Sequence, residues 1–254
     1  MKYISMTQSN IASEHICCAI SDRKCKESYE AKKSWLTEEF SKGYEFIRLD
    51  ERAKVFIEFG PAENSWLPIA ADNYIALGCF WVSGKYKGAG HGKQLLGKAK
   101  LTAEKLGKNG LVTVVGKKKK GFMSDTNWLK KQGFSICDEA PNDFVLLYLP
   151  LNDEAEPPRF LPHVQSPEIE FDGCVAYYSN RCPFSEYHVL SSLVESCNKR
   201  GIPLKIVKLD TLEKAQSCPS PATIFSLYYR GHFVTTDISA CMDTRFDKYI
   251  KESI

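Results

Sequence analysis

The sequence predicts an α/β protein: a mixed sheet with helices on it, followed by a smaller unit of the same class. Three observations carry that prediction. Apolar runs that read as buried strands, among them 74–82 and 110–116, alternate with stretches whose apolar residues recur at helical spacing. Residues 151–170, LNDEAEPPRFLPHVQSPEIE, hold four prolines, several acids and no sustained period, the composition of a linker. After it a strand, a helix and a strand recur at 173–179, 186–199 and 202–209. A chain of 254 residues has room for both units, 1–150 and 171–254.

In chain order, residues 3–6 read as a short strand. Residues 10–20 read as a helix capped by Ser9 or Asn10, and 27–40 as a second helix ended by Gly43. Strands are expected at 44–50 and 53–60, joined as an antiparallel hairpin at Asp50-Glu51. A proline-containing loop over 61–72 leads to the strand 74–82. A helix over 90–106 follows, with Leu95, Leu96, Ala99, Ala103 and Leu106 inward. Strands at 110–116 and 144–149 close the first unit. In the second, 186–199 should bury Val189, Leu190, Leu193 and Val194. The crossover rule makes 202–209 parallel to 173–179. Strands at 224–229 and 232–236 and a helix at 244–251 complete it.

Between the strand at 74–82 and the following helix lies Lys87-Gly88-Ala89-Gly90-His91-Gly92-Lys93. A strand, a glycine turn and a helix N-terminus make an anion site, because free N–H groups and the helix dipole face outward there. The spacing is neither GxGxxG nor a P-loop. It resembles the coenzyme A loop (Q/R)xxGxG/A of the GNAT superfamily of N-acetyltransferases, with Lys87 in the first position. The resemblance implies the acyltransferase fold, acetyl-CoA as co-substrate, and two central strands that diverge around the coenzyme. It implies that Lys87–Lys93 bind the pyrophosphate. Phe80, Trp81 and Val82 would align the pantetheine arm, with a β-bulge there presenting a backbone N–H to the carbonyl. Trp128-Leu129-Lys130-Lys131-Gln132-Gly133-Phe134 resembles the family's FYxxxGF segment, but Leu129 stands where the family's general-acid Tyr is usual.

In the second unit, Cys182-Pro183-Phe184-Ser185 between a strand and a helix, with Pro221 as candidate cis-proline, resembles a thioredoxin or glutaredoxin fold. A helix N-terminus lowers the pKa of a thiol placed there, which marks Cys182 as a redox candidate, with Cys218 as resolving partner. The two units in this order resemble the YoaP-type acetyltransferases over essentially the whole chain.

An alkylamine is roughly a thousandth neutral at pH 7, so transfer to it needs a base or desolvation. Glu58 and Asp72 are the candidate bases, Ser124 and Tyr148 the candidate acids. Thirteen lysines between Lys85 and Lys131 face only Glu104 and Asp125. A phosphorylated coenzyme explains that cluster better than nucleic acid does, since no RNA-binding motif accompanies it. Ten cysteines without a CxxC pair or a leader predict free thiols, no metal and a cytoplasmic protein. No apolar run reaches membrane-span length. The expected partners are acetyl-CoA and an amine-bearing acceptor, a small molecule or a protein. A catalytically weak coenzyme A sensor and a thiol-redox protein acting through Cys182 remain alternatives.

Overall fold

In the computed structural model, which describes residues 1–16 and 18–251, the first strands are β1 (Tyr3–Ser5), β2 (Glu45–Leu49), β3 (Val55–Pro61), β4 (Ile69–Ala70), β5 (Ile75–Val82), β6 (Gly110–Gly116), β7 (Ser135–Ala140) and β8 (Phe144–Pro150). All but β4 form one seven-stranded sheet of order β1-β2-β3-β5-β6-β8-β7. Only β5 and β6 pair in parallel.

Alternation along β3 decides what each face carries. Ile57 and Phe59 face helix α2 (His91–Lys105), which buries Leu95, Leu96, Ala99 and Ala103 against them. Leu106, expected inward, is half exposed because the helix ends at Lys105. Phe56 faces the other side, where helix α1 (Lys26–Phe40) packs Trp35 and Leu36 against it and Phe46. No helix forms over the described residues of 10–20; Cys17 lies outside them. There the Asn10 side chain accepts from the Thr7 N–H and donates to the Ser5 carbonyl, which holds a turn in place of a helix. Strand β7 has no counterpart in the sequence reading, since SICDEA lacks a sustained apolar alternation.

Residues 151–170 are not a free tether. Strand β9 (Arg159–Phe160) pairs with β4, and Phe160 and Val164 are buried beside Leu67, Tyr74 and Phe144. Beyond them, β10 (Cys174–Tyr178), β11 (Leu204–Lys208), β12 (Phe225–Tyr229) and β13 (His232–Thr235) form a four-stranded sheet of order β11-β10-β12-β13. Strand β10 is parallel to β11 and antiparallel to β12. Helix α3 (Thr126–Lys131) belongs to the first sheet. Helix α4 (Pro183–Tyr187) runs through a π-helical turn, His188–Leu193, into α5 (Val194–Asn198). That turn breaks the 3.6-residue spacing and rotates Leu190 outward, half exposed instead of buried. Helices α6 (Leu212–Gln216) and α7 (Asp243–Lys251) follow.

The two sheets share a core. Tyr177, Val207 and Leu209 of the second pack with Trp35, Phe56 and Trp66 of the first. Lys120 is held between the rings of Phe144 and Phe233, 4.8 and 5.1 Å from their centroids, which removes it from the expected coenzyme-facing cluster. Among the described residues no helix is long and apolar enough to cross a membrane. Phe160→Ala should lower the unfolding free energy by about 3–5 kcal/mol, measured by denaturant titration; a change below ~1 kcal/mol would mean that the 151–170 segment is dispensable packing.

Candidate active site

Strands β5 and β6 are joined at two rungs, Ile75 with Leu111 and Ala76 with Val112, and then part. A bulge in β5 sits at the same level. Phe59 opposes Leu77 and Ile57 opposes Phe80, so Glu58 alone faces Gly78 and Cys79. The bulge was expected at 80–82; those residues pair regularly with 55–57 instead. Gly78 is the cause. A Cβ there would lie 2.3 Å from the Tyr44 hydroxyl, so only glycine lets the strand approach that side chain. A glycine inside the apolar run IALGCFWV is the sequence signal for it.

On the α2 face, Gly90 forms the N-cap of α2 at φ 83. It offers no side-chain cap, and the first turn carries no acid. The first N–H groups of a helix have no intrahelical acceptor. Gly88 is also left-handed, and a Cβ on either glycine would meet nothing within 4 Å, so open space faces this turn. Ala89, Lys87 and Lys93 are exposed around it. This geometry fits a bound pyrophosphate through backbone donors and flanking lysines. His91 does not contribute its ring. It is buried, its Nδ1 2.9 Å from the Tyr3 hydroxyl, between the edges of Tyr3 and Tyr86. Trp128 reaches from α3 to this helix start: a Cβ on Gly92 would lie 2.9 Å from its ring. The same indole meets Phe80 edge-on at 5.3 Å between centroids. Contact therefore runs from the helix N-terminus through Trp128 to Phe80, at the gap between β5 and β6. Val82 lies beyond, against the α2-side core.

On the opposite face, the gap opens into a cavity of about 340 Å³ between the two sheets. Phe80, Trp81, Cys79, Thr113 and Ser124 line it from the first sheet and its loops, and Lys32 from α1. Arg181, Cys182 and Pro221–Phe225 line it from the second. Lys32 and Glu58 are each 1% exposed and form an ion pair. The other Glu58 oxygen accepts from Tyr44 at 3.2 Å. Burial opposes the charge on Lys32, but the Glu58 carboxylate outweighs it and holds the ammonium above its ordinary range. Burial, then Glu58, raises the Tyr44 phenol well above its own. Glu58 is thus enclosed by its two partners, and Lys32 stands at the cavity wall. Beside it, a hydrogen bond to Cys18 and burial hold the Cys79 thiol well above the usual range. Cys18 lines the cavity as well. The reading of residues 10–20 as a helix hid that placement.

Cys182 was expected to be activated by its helix. Burial instead pushes its thiol up to about 11, against the opposing effects of Lys32 and the Phe184 and Ser185 N–H groups. Ser185 donates to the carbonyls of Ser179 (2.7 Å) and Cys182 (2.8 Å) and is fully buried. Cys218 is buried in the shared core, outside the cavity lining, with its thiol raised to about 12 by burial. Pro221 faces the cavity, but the described residues contain no cis peptide.

The remaining candidates lie elsewhere. Asp72 is exposed in the turn before β5, at the end where β5 and β6 still pair. Tyr148 sits opposite Val112 at that same level and packs with Tyr74 and Cys137. Leu129 is fully buried in the α2-side core. Lys32 and Arg181 are the site residues that sequence reasoning missed. Each looks like an ordinary surface cation until the two sheets enclose it. Among the described residues no group of His, Cys, Asp or Glu is arranged to hold a metal.

A family model described as YoaP-like matches residues 203–248. The uncharacterized N-acetyltransferase YoaP of Bacillus subtilis (strain 168) is 39% identical over 250 residues, covering 98% of each chain. Among solved structures, the PaiA N-acetyltransferase of Thermoplasma acidophilum in complex with coenzyme A aligns with 59% of this chain and 99% of its own, at 15% identity and a TM-score of 0.42. An aminoglycoside 6'-acetyltransferase type Ii aligns with 62% and 100%, at 13% identity and a TM-score of 0.44.

Two predictions follow from the buried groups. Lys32→Met leaves Glu58 buried without its cation and should cost about 3–5 kcal/mol in denaturant unfolding; adding Glu58→Gln should recover most of it. A double variant as unstable as the single one would contradict the pairing. For Cys182, a value near 11 leaves roughly a thousandth as thiolate at pH 8. Its alkylation by iodoacetamide should still accelerate above pH 10, and a plateau below pH 8 would contradict this environment.

Proposed function

The chain belongs to the YoaP family of N-acetyltransferases, and from that premise we propose that it moves acetyl from acetyl-CoA to an amine bound in the cavity between the two sheets. The observation that carries this reading is the junction at the β5–β6 gap. An uncapped helix N-terminus lies on one side of it and a cavity partly open to solvent on the other, connected through Trp128 and Phe80.

Bound there, acetyl-CoA supplies a thioester whose carbonyl is attacked by a neutral amine, with release of the thiolate. The protein's part is positioning and electrostatics. Backbone N–H groups of the α2 first turn and the Lys87 and Lys93 side chains hold the diphosphate. The bulge at Gly78–Cys79 leaves backbone groups outside the sheet ladder, available to the carbonyl oxygen. Among the described residues no carboxylate lines the cavity, so proton removal is not assigned to a free Asp or Glu. Arg181 and Lys54, with Lys32 neutralised by Glu58, instead make the cavity positive, which lowers an ammonium's pKa and favours the neutral amine. The leaving thiolate, with a conjugate acid near ~8.5, departs without a strong acid. Ser124 stands at the cavity to donate to it in place of the Tyr that Leu129 replaces. The four-stranded sheet, whose order supports a thioredoxin-like reading, serves as the cavity roof. The protonated Cys182 and the engaged Ser185 favour that role over disulfide chemistry.

The test is release of free coenzyme A matched by N-acetyl product in mass spectra. Gly90→Asp places a carboxylate where the diphosphate sits and should weaken acetyl-CoA binding at least about tenfold, or ~1.4 kcal/mol. Unchanged affinity in calorimetry would refute the assignment of this turn.

A further inference from the structure

The charge lining the cavity has one sign. Among the described residues Lys32, Lys54 and Arg181 are its charged side chains, and of these only Lys32 has a carboxylate partner, Glu58 behind it. Lys54 is exposed, its ammonium over the Phe184 ring. Arg181 is 6% exposed. Its Nη1 donates to the Trp66 carbonyl at 3.3 Å and to the Thr223 hydroxyl at 2.9 Å, and its guanidinium lies over the Trp35 ring. Both acceptors are neutral. A guanidinium carries five N–H donors, and those on Nε and Nη2 have no protein acceptor among the described residues. A buried cation without an anion is costly, and a fork fixed on one edge with its other edge free is preorganised for a carboxylate.

Much of the remaining lining is apolar, including Phe56, Leu67, Leu77, Phe122 and Phe225. The volume, about 340 Å³, is at the small end of the ~300–1,000 Å³ range of small-molecule sites. We propose that the acceptor is a free α-amino acid with an apolar side chain, its carboxylate paired with Arg181 and its side chain against the aromatic walls. This rests on the acetyltransferase reading and names the substrate class of that same site. It also deepens the chemistry. In the free amino acid the carboxylate stabilises the neighbouring ammonium, and pairing with Arg181 removes that stabilisation. The amine therefore gives its ammonium proton to bulk water as it binds, and the second proton, acidified by attack on the carbonyl, leaves with the departing thiolate. Polyamines and aminoglycosides, which bring several positive charges, are repelled by the same lining.

The full-length protein is assayed by loss of thioester absorbance with phenylalanine and leucine, with phenylalaninamide, phenethylamine and isoamylamine, and with spermidine. Binding of N-acetylphenylalanine and of N-acetylphenylalaninamide is measured by calorimetry without coenzyme. The amino acids should exceed their amides and decarboxylated amines by about thirtyfold in kcat/KM, and N-acetylphenylalanine should bind where the amide does not. Arg181→Gln should bring that ratio close to one, and Arg181→Lys, which keeps the charge and loses the fork, should fall between. Affinity for acetyl-CoA within twofold of the parent shows that each variant is folded. Amides or simple amines accepted equally well, or a preference that survives Arg181→Gln, overturns the inference and leaves acetyl transfer standing. Absence of transfer to every amine overturns it too, and absence of acetyl-CoA binding as well marks failure of the underlying reading.

Discussion

Two rungs of parallel pairing join β5 to β6, and the sheet is open beyond them. The bulge at Gly78–Cys79 shifts β5 by one residue there, and Gly78 in turn exists to let Tyr44 reach Glu58. Backbone left out of a ladder needs another partner. The opening is therefore both a structural defect and the place where a ligand is most favoured. The α2 N-terminus, Trp128, Phe80 and the cavity are all arranged around it.

The second sheet matters because of what it encloses. It closes over the cavity wall where Lys32 stands, and an ion pair there is worth more than one in water. Burial makes the pair stiff and makes removal of either partner expensive. The same enclosure leaves Arg181 as a cation awaiting an anion, and it keeps the Cys182 thiol protonated. Three thiols, Cys18, Cys79 and Cys182, line a cavity with two buried cations, yet a hydrogen bond to Cys18 and burial raise that of Cys79, and burial raises that of Cys182. A helix start lowers a thiol's pKa only where the sulfur stays solvated enough for the charge.

Local patterns in the sequence expose most of the fold. The strand at 110–116, the glycine turn and the α2 stripe follow from periodicity and turn chemistry over a dozen residues. What local pattern cannot reach is set by packing between distant segments. Asn10 traded a helix for side-chain hydrogen bonds, and the proline-rich stretch 151–170 is pinned by Phe160 in a core it reaches only in three dimensions. The π-helical turn at His188–Leu193 rotated Leu190 outward against its spacing. At the site, the glycine turn proposed for the coenzyme is visible in the sequence because its residues are contiguous. The proposed acceptor wall is not, because Lys32, Cys79, Arg181 and Thr223 come from four separate segments. Asp72 and Tyr148 suited the chemistry but lie at the closed end of β5 and β6.

The central claim is that the gap between β5 and β6 connects a coenzyme site to an acceptor cavity roofed by the second sheet. A crystal structure with acetyl-CoA tests it most directly. The diphosphate is expected on the N–H groups of the α2 first turn, with the thioester passing Phe80 into the cavity, within reach of Cys79 and Cys182. A coenzyme bound elsewhere, or a thioester that stops on the α2 side of the sheet, would contradict it.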